Sequence, residues 1–158
     1  MKTVLFILFF IGLGFSTNAQ VNFRTGSLKL DGDLNRINVE AKADFGKFRA
    51  EMGTSYNIAE SKIDYYHAEL RMEPADIYFA LEMSTVTRRP VDDVIRVYTD
   101  NRGNGWGKIA QQLGIKPGSA EFHALKGKVK NKAEKGVKGK EKQGQSKGYK
   151  GKGKGKKH

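Results

Sequence analysis

His67, His123 and His158 are the chain's three histidines, and imidazoles are the side chains best suited to hold a metal or move a proton near neutral pH. A metal site wants three or four ligands at close spacings such as His-x-x-x-His or Glu-x-x-His. Asp64 precedes His67 by three residues and Glu121 precedes His123 by two, but no two histidines are neighbours in sequence. The spacing therefore places His67 at a core edge and His123 on the last helix, with no metal. The acids Glu73 and Asp76 flank Pro74, and Asp92-Asp93 follow Pro90, where carboxylates suit the positive end of a helix. Paired carboxylates for glycoside hydrolysis would need a cleft between them, and a chain of this length leaves little room for one. No Gly-x-Ser-x-Gly is present, and Ser61-Lys62 has the wrong spacing for a Ser-x-x-Lys pair. The chain has no cysteine, which excludes disulfides, thiolate catalysis and Cys-held zinc or iron–sulfur groups. The expectation is a protein that is not an enzyme, with no catalytic residue, metal or cofactor.

Charge is the strongest chemical signal left. Residues 1–125 hold fifteen Lys/Arg and fifteen Asp/Glu, whereas Lys126 to His158 hold fourteen lysines against Glu134 and Glu141, so the whole net charge of +12 sits in the last 33 residues. The lysines are Lys126, Lys128, Lys130, Lys132, Lys135, Lys138, Lys140, Lys142, Lys147, Lys150, Lys152, Lys154, Lys156 and Lys157, spaced largely by glycine. Composition predicts that 126–158 is a disordered Lys/Gly-rich tail, since so few apolar groups cannot offset chain entropy. These lysines are the candidate polyanion-binding residues. Glycine would make them adaptable point charges, and Gly-rich sequence without a strand-to-helix context is no phosphate loop. Only Tyr149 could stack on a base.

Upstream, Met1 to Ala19 has a positive Lys2, an apolar run from Val4 to Phe15 and short residues before Gln20, the pattern of a cleaved signal peptide. A run of twelve is short of the ~18–20 residues that span a bilayer. The expected organisation is 1–19 signal peptide, 20–33 lead-in, 34–125 helical domain and 126–158 tail, the domain being all-α with five or six short helices. Leu34, Ile37, Ala41, Phe45, Phe48 and Met52 recur at threes and fours, one helical stripe, with Asp31 or Asp33 as a cap. A hairpin over 27–42 around Asp31-Gly32 is the rival pattern. Helices also follow over 59–71, from Pro74 to about Val86, from Pro90 to about Asn101, over Trp106–Leu113 with Gly114 as a left-handed cap, and from a Ser119 cap onward.

The segment from Gly105 to Ser119 is the most distinctive inside the domain. Trp106-x-x-Ile109-Ala110-x-x-Leu113-Gly114 has the look of a helix-turn-helix, with 119–126 as the reading helix. That reader has no arginine and carries Glu121, so core packing accounts for the pattern better. Together with Leu34-Asn35-Arg36-Ile37-Asn38, Glu73-Pro74-Ala75-Asp76, Arg89-Pro90-Val91-Asp92 and Phe122-His123-Ala124-Leu125, this segment resembles a family of small exported bacterial helical proteins with Gly/Lys-rich C-terminal tails and no characterised activity. The resemblance implies a secreted or periplasmic helical protein and supplies no catalytic residue.

The functional expectation is an exported helical module whose basic tail binds polyanions at the cell envelope or outside the cell. Lipopolysaccharide, anionic lipid, acidic polysaccharide and extracellular DNA are the candidate partners. An alternative is a periplasmic protein-interaction module, with an exposed groove or the Trp106 region docking an envelope protein and the tail as solubility or tethering element. A helix-turn-helix nucleic-acid binder is the remaining reading. Under the leading expectation, truncation after Leu125 removes polyanion binding and leaves the helical body intact.

Overall fold

The computed structural model describes residues 21–147, with side chains through Gly136. The expected signal peptide, Tyr149, Lys150, Lys152, Lys154, Lys156, Lys157 and His158 lie outside the described residues. Among these the architecture is all-α: α1 (Leu28–Ala43), α2 (Phe45–Tyr56), α3 (Glu60–Ala68), α4 (Pro74–Thr87), α5 (Val91–Asp100), a 3-10 turn (Arg102–Asn104), α6 (Trp106–Gln112) and α7 (Ala120–Lys147).

Helix α4 is the axis of the domain. Every residue from Pro74 to Met83 is buried, so it is covered on all sides rather than along one stripe, as a central helix must be. It packs against α1, α5 and α7, with smaller contacts to α2 and α3. Pro74 opens it, and Asp76 reaches back to accept from the Glu73 backbone N–H at 3.3 Å, satisfying one of the free donors at a helix start. Arg88 at φ +56° closes it in the left-handed region. Asn38 ties α1 to this start, its amide oxygen accepting from Ala75 N–H at 3.2 Å and its Nδ2 donating to Glu73 Oε2 at 2.9 Å.

The helix favoured by the apolar spacing, and not the rival hairpin, forms here as α1. Two sequence expectations are corrected. The lead-in does not extend to 33, because α1 begins at Leu28 under a Ser27 cap whose hydroxyl accepts from Leu30 N–H. Asp31 accepts from Thr25 N–H instead, and Asp33 is buried against Arg36. The stripe from Leu34 to Met52 belongs to two helices. Asp44 breaks it at φ −148°, ψ 78°, and its carboxylate accepts from Lys47 N–H at 3.0 Å. That local bond offers the backbone an alternative to continuing the helix. Phe48 and Met52 still enter the same core.

The Gly105-Trp106-Gly107 triplet is explained by the segment before α1. Residues 21–26 cross the start of α6, where Trp106 N–H donates to Phe23 O and Gly107 N–H to Arg24 O, both at 2.9 Å. Gly105 sits at φ +79°, and a Cβ there would lie 2.4 Å from Arg24 Cβ; one on Gly107 would lie 3.1 Å from the Arg24 and Thr25 carbonyl oxygens. Only glycine allows residues 21–26 this close. Trp106 itself is 2 % exposed, packed in the core as its spacing suggested and not offered to a partner as the alternative reading had it. Its indole N–H donates to Asp76 Oδ1 at 2.6 Å, Tyr98 OH donates to Asp76 Oδ2 at 2.9 Å, and its ring stacks on Tyr98 and meets Phe79 edge-on. Burial pushes the Asp76 carboxyl above its ordinary range, against the pull of these donors.

Two predictions follow from this core. Trp106→Phe leaves Asp76 with one donor fewer, and urea unfolding should show a loss of about 1–3 kcal/mol. Burial first, and carboxylate partners second, raise the Tyr56, Tyr66, Tyr78 and Tyr98 phenols above 10. Such groups bind their protons more tightly when folded, so their stabilisation is complete below pH ~10 and is lost as pH rises past it. Absorbance titration should therefore show these tyrosines ionising together with alkaline unfolding, not before it.

Candidate functional site: a basic helix docked on the body

The cation-rich segment does not begin as a free tail. Ser119 starts α7, its hydroxyl accepting from Phe122 N–H at 3.2 Å, and the helix then runs through residue 147. Leu125, Val129 and Ala133 are buried at 0 %, 0 % and 2 % exposure, with Phe122 packed beside them. Steps of three and four put these on one stripe, which lies between α1 and α4. The tail boundary at 126 is thus corrected: residues 126–136 are part of the folded body. Burial of Leu125 and Val129 contributes roughly 1.5–3 kcal/mol each, against about 1 kcal/mol for each of the glycines at 127 and 136 in the docked stretch.

Helices α1 and α7 run in the same direction. Leu30 and Asp33 lie beside Lys126, Gly127 and Lys130, Ile37 and Ala41 beside Lys132, and Glu40 beside Gly136. The buried stripe is flanked by acids of the body. Lys128 Nζ lies 2.7 Å from Glu82 Oε2, a contact of charge alone, because that oxygen accepts no directed hydrogen bond. Glu82 is buried in α4, and its other oxygen accepts from Tyr56 OH at 2.6 Å and Tyr78 OH at 3.1 Å. Tyr78 OH also lies 3.2 Å from the Lys128 carbonyl. One turn on, Lys132 Nζ meets Glu51 of α2 at 2.5 Å, and its side chain is only 19 % exposed. A further turn brings Gly136 to Glu40, whose carboxylate occupies the place of a Cβ at 136. A partly buried pair costs desolvation, so the Lys128 ammonium serves chiefly to keep buried Glu82 from standing uncompensated, while the more exposed Glu51 compensates Lys132.

The candidate polyanion-binding lysines therefore fall into groups. Lys128 and Lys132 are engaged with the body. Lys126 lies over the Phe122 ring, its Nζ 5.6 Å from the centroid, and Lys130 and Lys135 are exposed. Lys138, Lys140, Lys142 and Lys147 continue α7, and the remaining five lie beyond the described residues. The proposed reading helix at 119–126 is the opening of this long helix, with Leu125 buried in the core.

The other chemical candidates have structural partners. His67 Nδ1 is 2.9 Å from Met72 O, and its ring stacks against Phe45 at 4.3 Å. His123 is exposed beside Phe122. Asp92 takes Lys62 at 2.7 Å and Tyr66 OH at 3.0 Å, and the Lys62 ammonium holds its carboxyl below the ordinary range. Asp93 pairs with Arg96, and Glu73 with Lys42. No group of three His, Asp or Glu able to hold a metal occurs among the described residues, and no described helix is long and apolar enough to cross a membrane. Comparisons with protein-family models, curated proteins and solved structures gave no match.

Truncation after Leu125 would delete Val129, Ala133 and both ion pairs. It should cost most of the domain's stability, seen as loss of cooperative melting in circular dichroism, whereas truncation after Gly136 should melt like the full chain. Lys128→Ala should lower stability by about 1–3 kcal/mol by leaving Glu82 buried without its cation, and Glu82→Gln in the same chain should recover part of that loss.

Proposed function

We propose that the protein is an exported, non-enzymatic helical module that presents a polycationic extension to polyanions at the cell envelope or outside the cell. The observation that carries this reading is the distribution of charge. Residues 1–125 are neutral in sum, whereas residues 137–158 hold nine lysines against Glu141, a net of +8 beyond the last residue seen against the body. The ion pairs to Glu82 and Glu51 use two lysines only, so most of the segment's charge has no described acid to neutralise it. Lysine supplies point charges that neutralise phosphates, sulfates or carboxylates without selecting a sequence, and each neutralised phosphate releases condensed counterions. The signal-like residues 1–19 support the address.

The test is retention of the full chain and of a chain ending at Gly136 on heparin and on single-stranded DNA. The full chain should be retained with a steep dependence on salt, and the shortened one should elute far earlier while melting at the same temperature. Equal retention of the two would refute the reading. Mass spectrometry of protein recovered from outside the cytoplasm should show Gln20 as the first residue.

A further inference from the structure

The outer surface of α1 and α7 carries a second feature that free polyanions do not need. Leu28, Gly32, Asn35 and Val39 follow one another at four, three and four residues, so they form one row of α1, opposite the buried Leu30, Leu34, Ile37 and Ala41; at its middle half-buried Asn35 is bonded to the Val21 backbone, and the two ends stand out. Two of the three large apolar side chains exposed among the described residues are on this row: Leu28 at 92 % and Val39 at 55 %. Eleven residues apart, they stand roughly 16 Å from each other along the helix.

Cations line the same side. Lys29 and Arg36, seven residues apart, make the adjacent row of α1. Lys29 faces Lys126 and Lys130 of α7 across a cavity of about 160 Å³. Of the acids nearby, Asp31, Asp33 and Glu40 are engaged with the body, Asp33 also lining that cavity, and Glu134 stays exposed. Asp31 accepts from Thr25 N–H at 3.1 Å, buried Asp33 holds Arg36, and Glu40 rests against Gly136. Glu134 makes only a loose contact with Lys130, at 3.7 Å. Arg36 remains 56 % exposed in its pair. The resulting surface has protruding apolar residues beside a cationic row, and no described helix is long and apolar enough to cross a bilayer.

We propose that this face docks flat on an anionic phospholipid surface, with Leu28 and Val39 entering the interfacial layer and Lys29, Arg36, Lys126 and Lys130 lying at the phosphates. The proposal rests on the polyanion reading above and names one ligand class for it. Free polysaccharide or nucleic acid has no apolar layer for a leucine to enter, whereas a lipid surface rewards both parts of the patch. Each lysine near an anionic surface contributes a factor of about five in partition, and a leucine withdrawn from water about tenfold or more.

The absence of cysteine makes the test direct. Full-length protein carrying Leu28→Cys, Val39→Cys or, as a control on α5, Thr99→Cys is labelled with an environment-sensitive dye and mixed with vesicles. The dye at 28 and at 39 should shift to the blue on phosphatidylglycerol/phosphatidylcholine vesicles and not on phosphatidylcholine alone, while the dye at 99 should not move. In co-sedimentation, Leu28→Ser/Val39→Ser should bind the anionic vesicles at least tenfold more weakly and keep wild-type heparin retention. Wild-type vesicle binding by that double variant would overturn the proposal, as would equal loss of heparin retention, which would assign the face to a polysaccharide or nucleic acid. A wild-type dimer that the double variant dissolves, seen by sedimentation velocity, would overturn it in favour of a second copy. The truncation after Gly136 keeps this face whole, so its heparin result judges the polyanion reading separately from the dye shift.

Discussion

The docking of α7 between α1 and α4 is the contact on which the rest depends. Leu125, Val129 and Ala133 extend the apolar core into a region whose composition is otherwise that of an unfolded polycation. Helix nucleation is costly, and short isolated helices are marginal in water, so a lysine- and glycine-rich segment becomes helical where a body receives it. The receiving surface is built for that purpose. Helix α1 supplies the apolar groove, while Glu82, Glu51 and Glu40 stand at successive turns to meet Lys128, Lys132 and the bare backbone of Gly136.

That receiving surface requires α4 to keep two carboxylates out of water. Asp76 is held by Trp106, Tyr98 and the helix start, and Glu82 by Tyr56, Tyr78 and the cation of α7. Buried acids are tolerated only when such partners surround them. The arrangement links distant parts of the chain. Residues 21–26 bridge to Trp106, Trp106 bridges to α4, and α4 bridges to α7. The domain's ends are thereby fastened to one another through a single buried helix, and the charge that is not consumed in this fastening is left on the outer side of α7 and beyond it.

Much of the helical pattern was legible in the sequence. Pro74 and Pro90 mark helix starts through their fixed φ and missing N–H, and Gly114 does adopt the left-handed conformation, at φ +91°. The core stripe from Leu34 to Met52 was visible, but Asp44's local bond to Lys47 N–H, which divides it, was not. Composition misplaced the tail boundary, because a count of lysines and glycines hides the spacing of Leu125, Val129 and Ala133. Three apolar residues at four-residue steps were the available signal. Trp106 was recognised as distinctive, and core packing was the reading that its spacing favoured over a docking role. Its flanking glycines point to a close backbone approach, which buries it, rather than to an exposed groove. The burial of Asp76 and Glu82 had no sequence signature beyond an acid in an otherwise apolar helix.

Amide hydrogen exchange across residues 120–147, measured with and without heparin, tests the account at its centre. The amides from Leu125 to Ala133 should be protected to a degree comparable with those of α4, and heparin should leave that protection unchanged while binding elsewhere on the chain. Exchange of those amides at unfolded-chain rates, or their release when heparin is added, would contradict it.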